Sequence, residues 1–152
     1  MQLTQYTDFG LRVLIALAVS PGERSTVSDV SKAYGISRHH LVKVVGRLAT
    51  LGYVETIRGK GGGMRLARPP QQIVFGEVVR KLEAELGVVE CLEKDGGNCV
   101  ISPTCQLKGV LRTATEKFLA ELDGHTLAEV LPHRRPLARL LGIPIRIETD
   151  RP

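Results

Sequence analysis

Between residues 26 and 68 the chain is punctuated so closely that few folds can accommodate it. Thr26 stands three residues before Asp29, the spacing at which a hydroxyl and a carboxylate each satisfy a free backbone N–H at a helix start. The helix so opened closes at Gly35, and Ser37 offers a second N-cap two residues later. From there Leu41, Val44, Val45 and Leu48 share one face, and the pattern stops at Gly52. Two short helices joined by a turn of about four residues containing glycine make a helix-turn-helix. Residues 53–57 (YVETI) and 64–67 (MRLA) then read as strands, separated by RGKGGG. Those glycines permit a tight hairpin tip that can approach another surface with no Cβ in the way.

The flanking segments read as helices. Phe9, Val13, Ala16 and Leu17, widened by Leu14 and Ala18, predict a first helix over 7–19 that ends at Pro21 and Gly22. Val74, Val78 and Leu82 predict another over 73–86, ended by Gly87, with Glu77, Glu83 and Glu85 facing solvent. Ser102 and Pro103 suit the N-cap and first position of a long helix over 103–122, which places Cys105 in its first turn. Leu107, Leu111, Ala114, Phe118 and Leu122 stripe that helix, and in so short a chain such a stripe is best buried against a second copy. Thr126 and Glu129 repeat the capping box ahead of a short helix ended by Pro132. The expected fold is mainly α with a small β-hairpin wing. A winged helix-turn-helix domain fills 1–86, a cysteine-bearing loop 87–102, a dimerisation helix with a short following helix 103–131, and a proline-broken basic tail 132–152.

Charge is divided along the same lines. Residues 1–68 carry ten Lys/Arg against four Asp/Glu, whereas residues 69–125 carry six against nine. A basic first module points to a polyanion, and a helix-turn-helix with a basic wing points to double-stranded DNA. The second helix presents Ser37, Arg38, His39, His40, Lys43 and Arg47 away from its apolar stripe. Arg38 suits bidentate recognition of guanine in the major groove, and Lys43 suits a phosphate. On the wing, Arg58, Lys60, Gly61, Gly62 and Arg65 suit entry into the minor groove, with Arg68 adding charge on the return. The glycine run is not a phosphate-binding P-loop, because it lacks both the four-residue spacer and the Ser/Thr after the lysine. The longest strongly apolar run, 13–19, is too short to cross a bilayer, and the opening MQLTQYTDFG has no basic leader. The expected address is cytoplasmic, with no membrane partner.

All three cysteines fall in 91–105, spaced C-x7-C-x5-C. An odd count fits no self-contained disulfide framework, and no His or Asp is placed to activate a catalytic thiol, so an enzyme is not expected. Three thiolates suit an inorganic cofactor but leave a tetrahedral zinc site or a cubane cluster one ligand short. Glu90, Glu93, Asp95, His125, His133 and a partner's first helix are all available for the fourth position.

The runs LTQYTDFGLR, SRHHLVKVV, LGYVETIRGKGGGMRL, GEVVRKLE, ISPTCQLKGVL and FLAELDGHTLAEVL, together with the three cysteines, resemble the iron–sulfur winged-helix repressors of bacteria, above all their nitric-oxide-sensing members. The resemblance covers roughly 1–131. It implies a homodimeric repressor on operator DNA with one 4Fe–4S cluster per subunit. Cys91, Cys99 and Cys105 would hold the cluster with the partner subunit's Asp8, and Arg12 would lie beside Asp8 as a charge partner. Nitric oxide would be the signal that ends DNA binding. Two positions depart from the pattern. Seven residues separate the first two cysteines where relatives have four or five, and Lys108 replaces the histidine ligand of the cluster-assembly regulators. A 2Fe–2S redox-sensing regulator and a zinc-stabilised repressor are the alternative readings.

Overall fold

The computed structural model describes residues 2–19, 24–59 and 61–143; Pro21, Gly22 and Lys60 lie outside them. Helix α1 (Gln5–Val19) is the centre of the molecule. Val13, Leu14, Ala16, Leu17, Ala18 and Val19 are all buried, so its apolar residues serve several neighbours at once. Thr4 caps it, its hydroxyl accepting from the Thr7 amide at 3.3 Å, two residues earlier than the apolar stripe alone suggests. Helix α2 (Val27–Tyr34) opens on the expected capping box: the Asp29 amide donates to Thr26 Oγ1, and the Thr26 amide donates to Asp29 Oδ2 at 2.8 Å. The Thr26 hydroxyl, which donates to Asp29 Oδ2 at 2.7 Å, and then the Thr26 amide hold the Asp29 carboxyl below its usual pKa. Gly35 then takes the left-handed conformation, φ 66°, that ends the helix and turns the chain. Helix α3 (Arg38–Thr50) follows, burying Leu41, Val44, Val45 and Leu48 as predicted.

Strands β1 (Val54–Ile57) and β2 (Gly63–Leu66) pair antiparallel, with Glu55 opposite Arg65 and Ile57 opposite Gly63. Ser25 adds a bridge to Met64, so the hairpin is tied to the segment before α2. A one-turn 3-10 helix, Pro70–Gln72, leads into α4 (Phe75–Leu82). That helix is shorter than the predicted 73–86 because distant groups compete for both ends. At its start the Leu127 amide donates to the Ile73 carbonyl and the Phe75 amide to the His125 carbonyl. At its end Glu83 turns extended, and its carboxylate accepts from the Thr4 amide at 2.8 Å and the Thr4 hydroxyl at 3.1 Å. Glu83 therefore caps α1 rather than simply facing solvent.

Helix α5 (Gln106–Asp123) begins later than predicted. Ser102 and Pro103 sit in consecutive turns, with the Ser102 amide donating to the Cys99 carbonyl, and the Ser102 hydroxyl accepts from Lys108 Nζ at 2.8 Å instead of capping. Cys105 is consequently the N-cap residue, not part of the first turn. The Thr126–Glu129 capping box forms, but Pro132 does not end the structure: the 3-10 segment Leu127–His133 runs into α6 (Arg134–Leu141). Part of the region read as a proline-broken tail is thus helical, with Ala138 buried where α6 packs on α1.

Gly10 lets α4 approach α1, since a Cβ there would overlap Leu82 Cδ1. Gly10→Val should destabilise the fold by roughly 1–3 kcal/mol, and by less when Leu82→Ala is already present. Urea unfolding of the two single variants and the double variant measures that coupling, and strict additivity would show that the two residues do not meet. His125 lies 2.7 Å from Glu129 and 3.3 Å from Glu121, and these carboxylates, Glu129 first, raise its pKa. Because the folded value is the higher one, this stabilisation is complete below the unfolded pKa of about 6.5 and fades as pH rises through the folded value. His125→Gln should therefore lower the melting temperature more at about pH 6 than at about pH 8.5; equal losses in thermal scans at both would refute it.

Candidate nucleic-acid interface and thiol loop

Burying Leu41, Val44, Val45 and Leu48 leaves the opposite side of α3 in solvent, and Ser37, Arg38, His39, His40, Lys43 and Arg47 are all exposed. Their surroundings differ. Ser37 occupies the N-cap position without making a side-chain cap bond, which leaves its hydroxyl for an outside acceptor. His40 stacks on Phe9 of α1, ring centroids 6.2 Å apart, and Arg47 Nη2 reaches toward the Lys81 carbonyl of α4 at 3.5 Å. These two lie on the flanks against neighbouring helices. The Tyr6 hydroxyl donates to the Lys43 carbonyl at 3.2 Å and fixes α3 against α1. Arg38, His39 and the Lys43 side chain make no ion pair among the described residues.

The wing tip is stiffer than its glycine content suggests. The Gly62 amide donates to the Gly59 carbonyl at 2.9 Å, and a Cβ on Gly62 would overlap the Ile57 carbonyl oxygen. Arg24 Nη1 donates to the Gly61 carbonyl at 2.8 Å, pinning the exposed tip from outside the hairpin. No sequence signal marks Arg24, because its partner is a backbone atom 37 residues away. Arg58 is exposed, whereas Arg65 is paired with Glu55 across the strands at 2.8 Å. Arg68 serves the fold: its guanidinium donates to the Gly52 and Leu51 carbonyls and lies over the Tyr53 ring. Sequence reasoning also missed Val42, which is 56% exposed on the outward side of α3.

The thiol loop joins α4 to α5. Cys91 sits in a single 3-10 turn, Glu90–Leu92. Gly96 and Gly97 take positive φ, 75° and 57°, and reverse the chain. A Cβ on Gly97 would fall 2.9 Å from the backbone of Glu90, so the extra residues between the first two cysteines fold back onto the residue preceding Cys91. Cys91, Cys99 and Cys105 are all free and half-buried. Cys105 stands at the N-cap of α5, its side chain making no cap hydrogen bond. Three soft donors in one short loop suit iron by ligand type. Among the described residues, however, no group of three His, Cys, Asp or Glu side chains converges to hold a metal, so the cysteines and Asp8 of one chain do not form a closed set.

Asp8 and Arg12 do meet, in a two-pronged pair at 2.8 and 3.0 Å with both side chains 42% exposed. Arg12 also lies over the Tyr34 ring. On α5, Leu119 packs toward α4, while Leu107 and Val110 remain 59% and 63% exposed and Ala114 is exposed beside them. Among the described residues no helix is long and apolar enough to cross a membrane.

Residues 3–133 match the family model Rrf2, described as an iron-dependent transcriptional regulator. The sequence is 50% identical over 142 residues to the HTH-type transcriptional regulator NsrR of Bacillus subtilis, covering 93% of this chain and 97% of that protein. It is 49% identical over 142 residues to NsrR of Geobacillus kaustophilus, with the same coverage. These relatives are transcriptional regulators, not enzymes. The oxidised form of Staphylococcus aureus CymR shares the fold, with a TM-score of 0.68 at 23% identity over 84% of this chain and 93% of that one.

Arg38→Ala should weaken binding of an operator duplex by about 1–3 kcal/mol, and Arg24→Ala should weaken it less by loosening the wing. Fluorescence anisotropy with labelled duplex measures both, and an unchanged Kd for Arg38→Ala would remove that residue from the interface.

Proposed function

The chain belongs to the Rrf2 family of transcriptional regulators, and on that premise we propose that it is a cytoplasmic, iron–sulfur-dependent repressor that binds operator DNA as a homodimer and releases it in response to nitric oxide. The observation carrying this reading is the placement of all three thiols in the loop that ends at the N-cap of α5, a helix whose apolar side is left open. A second copy seated on Leu107, Val110 and Ala114 covers that side and gives the two-fold symmetry a palindromic operator requires. The α3 helices then face successive major grooves, Arg38 and His39 reach base edges, Ser37 and Lys43 engage phosphates, and Arg58 enters the minor groove with the wing.

The residues suited to a 4Fe–4S cluster are Cys91, Cys99 and Cys105 of one subunit and the partner subunit's Asp8, with Arg12 orienting that carboxylate. When bound, such a cluster supplies iron that a small diatomic can attack. A carboxylate is a harder donor than a thiolate, so Asp8 is the weakest of the four holds on iron. An Asp8 bond in trans ties α1 of one subunit to the thiol loop of the other. Loss of that tie is the step that changes the spacing of the two α3 helices. Lys108, engaged with Ser102, stands where a histidine ligand would support a 2Fe–2S reading.

Protein purified without oxygen should contain about four irons and four sulfides per chain, run as a dimer, and lose operator binding on titration with nitric oxide. A colourless preparation holding zinc, or DNA binding indifferent to nitric oxide, would overturn the reading. Asp8→Ala should lower cluster content or blunt the nitric-oxide response; full content with an unchanged response would remove Asp8 from the ligand set.

A further inference from the structure

Two residues on the outward side of α3 are unexplained by the chain's own packing. Val42 is 56% exposed there, although a β-branched side chain in solvent gains nothing from burial and is a weak helix former. Gly46 lies one turn further along the same side, and a Cβ built on it meets no atom within 4 Å. Glycine is the poorest helix former after proline, and no neighbour in the chain requires it here. By helical periodicity Val42 adjoins Gly46, His39 and Arg38, and Gly46 adjoins Val42 and Lys43. The surface so formed has a methyl-bearing knob beside a bare stretch of backbone, rimmed by cations.

Such a surface matches the floor of the major groove. Every A·T pair displays the thymine C5-methyl there, and a small apolar side chain is its natural contact. We propose that Val42 reads a thymine methyl in each operator half-site, and that Gly46 is glycine so that α3 can seat deeply enough for that contact. This rests on the reading of α3 as the base-reading helix. Specificity then has two parts. Arg38 selects guanine by hydrogen bonds, whereas Val42 selects thymine over cytosine by an apolar contact that cytosine, lacking the methyl, cannot return. The contact carries no charge, so it contributes nothing to the salt dependence of binding.

The test uses the full chain, purified without oxygen, and a duplex it selects from a random library. Each thymine is replaced singly by deoxyuridine, which removes only the methyl. For the wild-type chain, one such replacement per half-site should weaken binding about fourfold, the worth of one buried methyl group. For Val42→Ala the same replacement should change binding less than about twofold. Gly46→Ala should bind at least roughly tenfold more weakly while melting about 2–4 °C higher, because alanine favours the helix and obstructs only the DNA. If Val42→Ala responds to every deoxyuridine as the wild type does, or if Gly46→Ala binds normally, the inference fails while the repressor reading stands. If the wild-type chain selects no duplex at all, the DNA-facing reading of α3 fails and takes this inference with it. Both outcomes are separate from the iron and nitric-oxide measurements.

Discussion

Leu82 fills the notch that Gly10 leaves on α1, and through that contact the end of α4 is held against the central helix. Helix α1 is buried along most of its length and is packed by α3, α4, β2, the 127–133 segment and α6. An element with so many neighbours cannot shift without disturbing several interfaces, because packed interiors have little free volume to absorb movement. The rest of the fold is therefore organised by reference to it. Helix α3 lays its apolar stripe on it, and its opposite side is thereby committed to solvent.

The end of α4 is also where three structural threads meet. Arg47 of α3 reaches the Lys81 carbonyl, Glu83 caps α1 through Thr4, and Leu82 packs against Gly10. The thiol loop begins only a few residues later. A segment that touches α3, the central helix and the loop is well placed to couple their positions. The surface ion pairs around it, such as Arg80–Asp123 and Lys81–Glu77, are largely exposed and add little to stability by themselves. Their use is to fix geometry. Arg80 grips both Asp123 oxygens directly over Gly76, where any larger residue would displace Asp123.

The two halves of the molecule solve opposite problems. The winged half has a closed core and presents polar and basic groups outward. The α5 half buries little of itself within the chain and leaves Val100, Ile101, Leu107 and Val110 exposed. The three cysteines lie at the junction of these halves.

Local sequence determined much of this. Thr26–Asp29, Gly35 and Gly52 mark helix ends through bonds made within a few residues, so spacing alone reveals them. The four-residue stripe of α3 reveals its buried side for the same reason. Resemblance in six runs spread over residues 3–131, together with the three cysteines, pointed to the regulator family to which the chain belongs. Tertiary structure decided whatever depended on distant partners. Helix α4 stops at Leu82 because Glu83 is claimed by Thr4, 79 residues away in sequence. Ser102 does not cap α5 because the chain stays in turns through Thr104, whose amide donates to the Ile101 carbonyl, and residues 134–141 form a helix that packs on α1. The wing is pinned by Arg24, whose partner Gly61 lies 37 residues away, beyond any local pattern. A capping box is satisfied by its own four residues, whereas a side chain choosing among remote carbonyls and surfaces is decided only when the whole chain has packed.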